Sequence, residues 1–469
     1  MEWRRQQLRA LLALMEENKD LFIEALRNDL YKHPFESLMM EIDFVCNEII
    51  SALNNLASWM APEKVNKGLV NLADDCFIKK EPLGVVLIIS PWNYPVQLLF
   101  SPMVGALAAG NCIVLKPSDL APNTSELIET LIPKYMDSEC IRVYPGGTEE
   151  ASELLEQRFD HIFFTGNPNN GRAVMAAAAA NLTPVTLELG GKCPVYVDSN
   201  CNLEVVAQRI IWGKLLNAGQ SCVAPDYVMC GYDIQEHLFE KMKIAVQKFY
   251  GDRTGDSECY GRIVNDQHHQ RLKSLLSRQK ATYGGLIDDS QRMISPAIVI
   301  DVKPGDPLME EEIFGPILPL VPVNGPEEAV EIINNREKPL TLYIFSHNKR
   351  LVQHFLSETS SGGVCINDTM THVALESLPF GGVGESGMGH YHGKFSFDTF
   401  SHHRSVMWKS LALESVNSIR YPPYTEKNLR KLQWLMKKTL KRGGVLSFLP
   451  FIILGVFLLI CSLDADSYF

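Results

Sequence analysis

No two cysteines in this chain stand at C-x-x-C spacing, and no Cys/His group has the spacing of a zinc site. The 11 cysteines are odd in number and scattered, which argues against a disulfide framework and for reduced thiols in a reducing compartment. The N-terminus does not read as a secretory leader, and none is expected: the apolar run 10–15 is short and lies between charges. Basic residues are outnumbered by acids, leaving a net charge of −11. A nucleic-acid partner is therefore not expected, because phosphate contacts need clustered Lys and Arg. The ending is not C-a-a-X, so prenylation is not expected. No internal repeat is found, and the turn at 166–171 is spaced G-x-x-x-x-G, which is not the G-x-G-x-x-G of a dinucleotide turn and is not followed by a Walker lysine.

What the chain does have is apolar material, 46% of 469 residues. That length predicts two or three domains, each with its own core. The carboxyl end differs from the rest. Residues 445–463 are nineteen positions without a charge, about 28 Å as a helix and close to the hydrocarbon thickness of a bilayer. The preceding stretch 426–442 carries seven Lys/Arg and one acid. The positive-inside rule then puts the body on the cytoplasmic side of a membrane held by a C-terminal tail.

Between these ends the pattern is βα alternation. After amphipathic helices over 1–58, with Leu8, Leu11, Leu12, Met15 and then Met39, Ile42, Val45, Ile49 at helical spacing, short apolar runs read as strands at 85–90, 112–115, 141–144 and 161–165. Helices are expected between them, and a poly-Ala helix at 172–181. A second series adds strands at 195–197, 227–230, 297–300, 317–321, 342–345 and 363–366. Its helices fall at 205–216, 234–249, 266–278, 326–334 and 349–358, and residues 395–408 read as extended. The fold class is α/β with doubly wound parallel sheet.

Four segments carry chemistry: SPWNYP (90–95), FFTGNPNNGR (163–172), ELGGK (188–192) with GQSC (219–222), and EEIFGP (311–316). Cys222 lies in a small-residue loop where Gly219 permits close approach, and a thiolate attacks carbonyl carbon well. Glu188 is a candidate base, since a carboxylate of raised pKa can take a proton from a thiol or a water. The Asn93 amide could donate to an oxyanion beside the Cys222 N–H. Residues 166–171 follow a strand and open a helix, as a phosphate-facing turn does. Lys116 sits just past a strand of the same sheet, where cofactor hydroxyls or phosphates bind. Taken singly, each has a plain reading: a structural thiol, a surface acid, a turn Asn, a strand–turn–helix, a solvated lysine.

Together they resemble the aldehyde dehydrogenase superfamily, in the class 3 branch that contains fatty aldehyde dehydrogenase. The match spans about 5–425 through PWNYP, LKPSD, FFTGN, VTLELGGK, NAGQSCVAPDYV, EEIFGPILP and PFGGVGESGMG. The resemblance implies Cys222 as nucleophile, Glu188 as general base and Asn93 as oxyanion amide. It implies an NAD or NADP site from Lys116, Asp119, Thr165, Gly166, Asn167, Gly171, Glu312 and Phe314, and no metal. Tyr94 and Phe380 are candidate substrate-pocket residues. Also implied are a Rossmann-like cofactor domain at 1–187, with part of an oligomerisation arm near 70–84, and a catalytic domain at 188–390. An arm and extension at 391–422, a basic linker at 423–442 and a membrane anchor at 443–469 complete the chain. A homodimer on the cytoplasmic face of the endoplasmic reticulum is the corresponding expectation.

The chain departs from the family in three places. Asp119 stands where Glu is usual, GNPNNG replaces the commoner GNTAVG, with Pro168 removing one N–H donor, and the first helix starts late, as in a shortened form. The activity expected is NAD(P)-dependent oxidation of medium- to long-chain aliphatic aldehydes to acids, through a thiohemiacetal and then a thioester on Cys222. The competing readings are a cofactor-independent thiol esterase or acyltransferase, a CoA-acylating dehydrogenase, which a hydrolytic Glu188 argues against, and a non-catalytic scaffold.

Overall fold

The computed structural model describes residues 1–412 and 414–438. The chain divides into two compact units, Met1–Ala61 with Lys80–Arg404, and Pro62–Lys79 with Ser405–Phe469. Within the larger unit lie two parallel sheets. The first has six strands in the order Gly387–Met388, Val185–Glu188, His161–Thr165, Val85–Ile89, Cys112–Lys116, Ile141–Val143. All but the edge strand Gly387–Met388 run parallel. The second has seven, in the order Tyr283–Gly284, Ala297–Val299, Ile317–Val323, Tyr227–Gly231, Pro194–Val197, Thr341–Phe345, Gly363–Ile366, with an antiparallel edge at Tyr283–Gly284. Central strands such as HIFFT and TLYIF are fully buried, mostly apolar runs, the pattern of strands covered by helices on both faces. All ten strands expected from the pattern are present, with ends shifted by at most two residues.

Register brings the chemical segments to one end. Ile89 pairs with Lys116, and Thr165 with Glu188. The turns after these strands therefore open side by side at the carboxyl edge of the sheet, where ligands of open α/β sheets bind. Behind them helix Gln97–Ala109 is buried on every side, as a helix apolar all round must be. Each large apolar side chain it buries is worth about 1.5–3 kcal/mol. Gly105 lets this helix touch Ser396, since a Cβ there would lie 2.3 Å from the Ser396 Cβ.

Three expectations change. Residues 395–408 are not extended throughout: Gly393–Thr399 is helical and the strand is Ser401–Trp408. Ser396 and Phe397 are buried there, and the Ser396 hydroxyl takes a hydrogen bond from His392 N at 2.8 Å. In the N-terminal helices the buried stripe contains Leu14 and not Leu12. Met39 is 53% exposed, because Leu38–Ile42 is a π-helical turn that shifts the phase and turns Glu41 inward instead.

The smaller unit holds Glu63–Lys64 paired with Phe77 and Ile78, and a solvated helix Glu426–Met436. The expected membrane anchor at 443–469 lies outside the described residues. Among those described, no helix is long and apolar enough to cross a membrane. The ten described cysteines are free.

Candidate active site

A cavity of about 820 Å³ in the larger unit has Cys222 and Glu188 in its wall. Tyr94 and Phe380, the two expected pocket residues, line it, as do Thr165, Trp212 and Tyr391.

Cys222 follows a strained turn. Asn217, Ala218 and Gly219 are left-handed, with φ of 50°, 54° and 79°. Only glycine fits the last position, because a Cβ there would meet Gly315 O at 2.3 Å. The loop is tied on both sides of the thiol. Gln220 donates to Asn217 O at 3.0 Å and Arg262 O at 2.9 Å, and its Oε1 accepts from Val264 N at 3.0 Å. The Tyr343 hydroxyl donates to Val223 O at 2.6 Å. Burial, then the charges of Glu312 and Glu188, push the Cys222 thiol up to about 12.

Glu188 ends its strand at 2% exposure, and neither carboxylate oxygen has a hydrogen-bond partner in the protein. Burial therefore drives it well above the usual carboxylate range. Asn93 is buried behind the cavity and is not among its lining residues. Its amide donates to Gln220 O at 3.1 Å, two positions before the thiol. One of its two N–H bonds is thus used.

The segments expected to hold a cofactor follow strands of the first sheet, except for Glu312 and Phe314. Lys116 Nζ donates to Pro117 O at 3.0 Å and to Gly146 O. Burial lowers it, offset by Asp119 and Glu150. Asp119 Oδ2 would be 2.9 Å from a Cβ on Gly147, so a bare backbone faces it. The expected loop 166–171 is only two residues long: the helix already begins at Pro168. Asn167 caps it, accepting from Asn170 N at 2.9 Å, and Pro168 takes the first-turn place where proline is favoured. Gly171 belongs to this first turn and packs on Leu189, where a Cβ would come within 2.8 Å. Glu312 lies on bare backbone at Gly190, whose Cβ would be 2.2 Å from its Oε2. Burial and then Asp226 raise it to about 8. Phe314, at φ 48°, meets the Trp92 ring edge to face at 5.4 Å. The loop carrying both is pinned by Lys192, which donates to Leu308 O and Glu311 O and pairs with Asp226, and by Asp226, which accepts from Ile313 N at 3.1 Å.

Sequence reasoning missed Lys32, Glu41, Asn217, Gln220, Lys192, Asp226 and Tyr391. Only the small-residue run NAG before Gln220 hinted at a strained turn. A strip of bare-backbone glycines, a capped helix end, a buried lysine and the orphaned Thr165 hydroxyl fits a dinucleotide's phosphates and hydroxyls. No group of three or more His, Cys, Asp or Glu that could hold a metal occurs among the described residues.

The family model described as the aldehyde dehydrogenase family matches residues 1–406. Human "Aldehyde dehydrogenase family 3 member B1" is 52% identical over 431 residues, 92% of each chain. The rat "Aldehyde dehydrogenase, dimeric NADP-preferring" is 50% identical, covering 90% of this chain and 93% of its own. A substrate-bound structure of Staphylococcus aureus AldH superposes with a TM-score of 0.91 at 42% identity, covering 93% of this chain and 95% of its own. The chain belongs to the aldehyde dehydrogenase family, in its class 3 branch, and is an NAD(P)-using aldehyde dehydrogenase.

Proposed function

We propose that this enzyme oxidises medium- to long-chain aliphatic aldehydes to carboxylic acids, with Cys222 as nucleophile, Glu188 as base and Asn93 as oxyanion donor. The observation that carries the reading is the cavity itself. Its wall joins a thiol and an unpartnered carboxylate to apolar side chains such as Met40, Phe44, Leu98 and Phe249. Each CH₂ of substrate buried there is worth about 0.8 kcal/mol, which favours long chains.

In this reading Cys222 Sγ bonds to the aldehyde carbon. The free N–H of Asn93 and the Cys222 backbone N–H receive the developing oxyanion, a device worth about 3 kcal/mol elsewhere. Lys116, Asp119, Thr165, Gly166, Asn167, Gly171, Glu312 and Phe314 would hold the NAD(P). What bound NAD(P) supplies is hydride acceptance and a positive charge at its ring. Glu188 then takes a proton from the water that cleaves the Cys222 thioester, releasing the acid and restoring the thiol.

We also propose a homodimer, supported by the strand Ser401–Trp408 with Met407 and Trp408 exposed. The membrane anchor remains part of the proposal. Its support is the uncharged run 445–463 behind a basic segment, which would hold the body on the cytoplasmic face of an intracellular membrane, the endoplasmic reticulum. The deciding experiment is an aldehyde panel of rising chain length, followed by absorbance of reduced cofactor and repeated with Cys222→Ala. Turnover should climb with chain length and vanish in the variant, while cofactor binding persists. Normal turnover in Cys222→Ala overturns the nucleophile. A panel in which short aldehydes win overturns the substrate class.

A further inference from the structure

Lys32 and Glu41 form an ion pair at 1% and 0% side-chain exposure. Taking two charges this far from water is costly, and an apolar pair would hold the helices at least as well. An apolar pair could not bind main-chain groups, and this one does. Lys32 Nζ donates to Asn93 O at 2.8 Å and lies 4.1 Å from the Tyr94 ring centre. Glu41 Oε2 accepts from Val96 N at 2.8 Å and Gln97 N at 3.2 Å. Three backbone groups of the segment beyond strand Val85–Ile89 thus hang on one ion pair, and the π-helical turn Leu38–Ile42 is what turns Glu41 towards them.

A second arm comes from the nucleophile's own turn. Asn217 Nδ2 donates to Asn93 O at 2.8 Å and to Gln220 O at 3.2 Å. The Asn93 amide donates to that same Gln220 O at 3.1 Å. Two carbonyls, at 93 and 220, therefore each collect two side-chain donors, and the amide at 93 is cross-tied to the loop that ends in Cys222.

We propose that Lys32, Glu41 and Asn217 are positioning residues: a buried clamp on the Asn93 carbonyl that sets the Asn93 amide against the Cys222 thiol. The proposal rests on the reading of Asn93 as oxyanion donor. Its physical basis is that a preorganised donor loses its benefit when displaced by about 1 Å, at a cost of roughly a hundredfold in rate.

The test uses the full chain and three variants. Lys32→Met combined with Glu41→Gln removes both charges at similar volume. Asn217→Gly removes both side-chain bonds and suits a φ of 50°, so it keeps the proposal testable if the double variant does not fold. Asn93→Ala is the reference. Each is mixed with p-nitrophenyl acetate without cofactor, so that Cys222 displaces p-nitrophenolate, and the burst rate is read. Aldehyde kcat and KM, and NAD binding by protein fluorescence, are measured beside it. The clamp predicts that burst rate and kcat fall together by roughly tenfold or more, with KM and NAD affinity nearly unchanged. A structural role alone would lower the active fraction without slowing the burst. Full burst rate and kcat in Asn217→Gly, or in a folded double variant, overturn the clamp. An unaffected Asn93→Ala overturns the oxyanion reading and the clamp with it.

Discussion

A carboxylate oxygen left without a donor is expensive to bury, and among the described residues Glu188 and Glu48 both carry one. Glu188 has no partner on either oxygen, and Glu48 has none on Oε1. Both are pushed up by burial, Glu48 to about 8. For Glu188 the consequence is chemical. As pH rises, both it and Cys222 lose protons, so turnover should rise into the alkaline range. Glu188→Gln should give a burst of reduced cofactor and then stall at the thioester. Stopped-flow absorbance reads this directly, and an unchanged steady rate would remove Glu188 from the role of base. For Glu48 the consequence is stability. Its folded pKa is raised, so the stabilisation it gives is complete below about 4.5 and is lost as pH climbs through about 8. Glu48→Gln should therefore melt several degrees above the parent at pH 9, with a smaller gap at pH 5. A gap independent of pH would mean that Glu48 is not ionising. The two acids differ in legibility. Glu188 stood out because ELGGK surrounds it, whereas Glu48 sits in a helical stretch where acids ordinarily face water, and only its packing reveals it.

At the scale of elements, the sheets and most helices could be read from periodicity, since buried parallel strands are short apolar runs with few other readings. HIFFT was placed to the residue, and so was the helix Asp266–Arg278. Connections were less legible. The helix Gly393–Thr399 and the π-helical turn Leu38–Ile42 depend on close approach, to Gly105 in one case and to the Asn93 segment in the other, and a single chain's pattern does not encode its neighbours. Glycines mark such approaches. Gly190 has no room for a Cβ beside Glu312, so Gly190→Ala should push that carboxylate off its seat. Cofactor affinity, measured by fluorescence titration, should weaken by roughly tenfold, about 1.4 kcal/mol. Burst acylation of Cys222 by an ester should persist, because the thiol's loop is untouched. Unaltered affinity would dissociate Glu312 from the cofactor.

For the whole molecule, the cavity, the thiol, the acids and the nucleotide strip all lie within Met1–Ala61 and Lys80–Arg404, and none of the proposed chemistry draws on residues beyond. The carboxyl-terminal run, as the proposed anchor, would answer a different need. A net charge of −11 makes the chain as a whole a poor partner for anionic lipid. Seven Lys/Arg in 426–442 followed by nineteen uncharged residues reverse this locally. Long-chain aldehydes concentrate in bilayers by about 0.8 kcal/mol per CH₂, so an anchored enzyme samples a far higher local substrate level than a free one. Deleting 443–469 should then separate two quantities that the intact chain combines. On a short, water-soluble aldehyde the truncated enzyme should keep its kcat and KM. On a long-chain aldehyde presented in vesicles its apparent KM should rise, and in fractionated cells it should move from the membrane pellet to the supernatant. Sedimentation with membranes after the deletion would refute the anchor, and a lost kcat on the short aldehyde would refute the confinement of the chemistry to the larger unit.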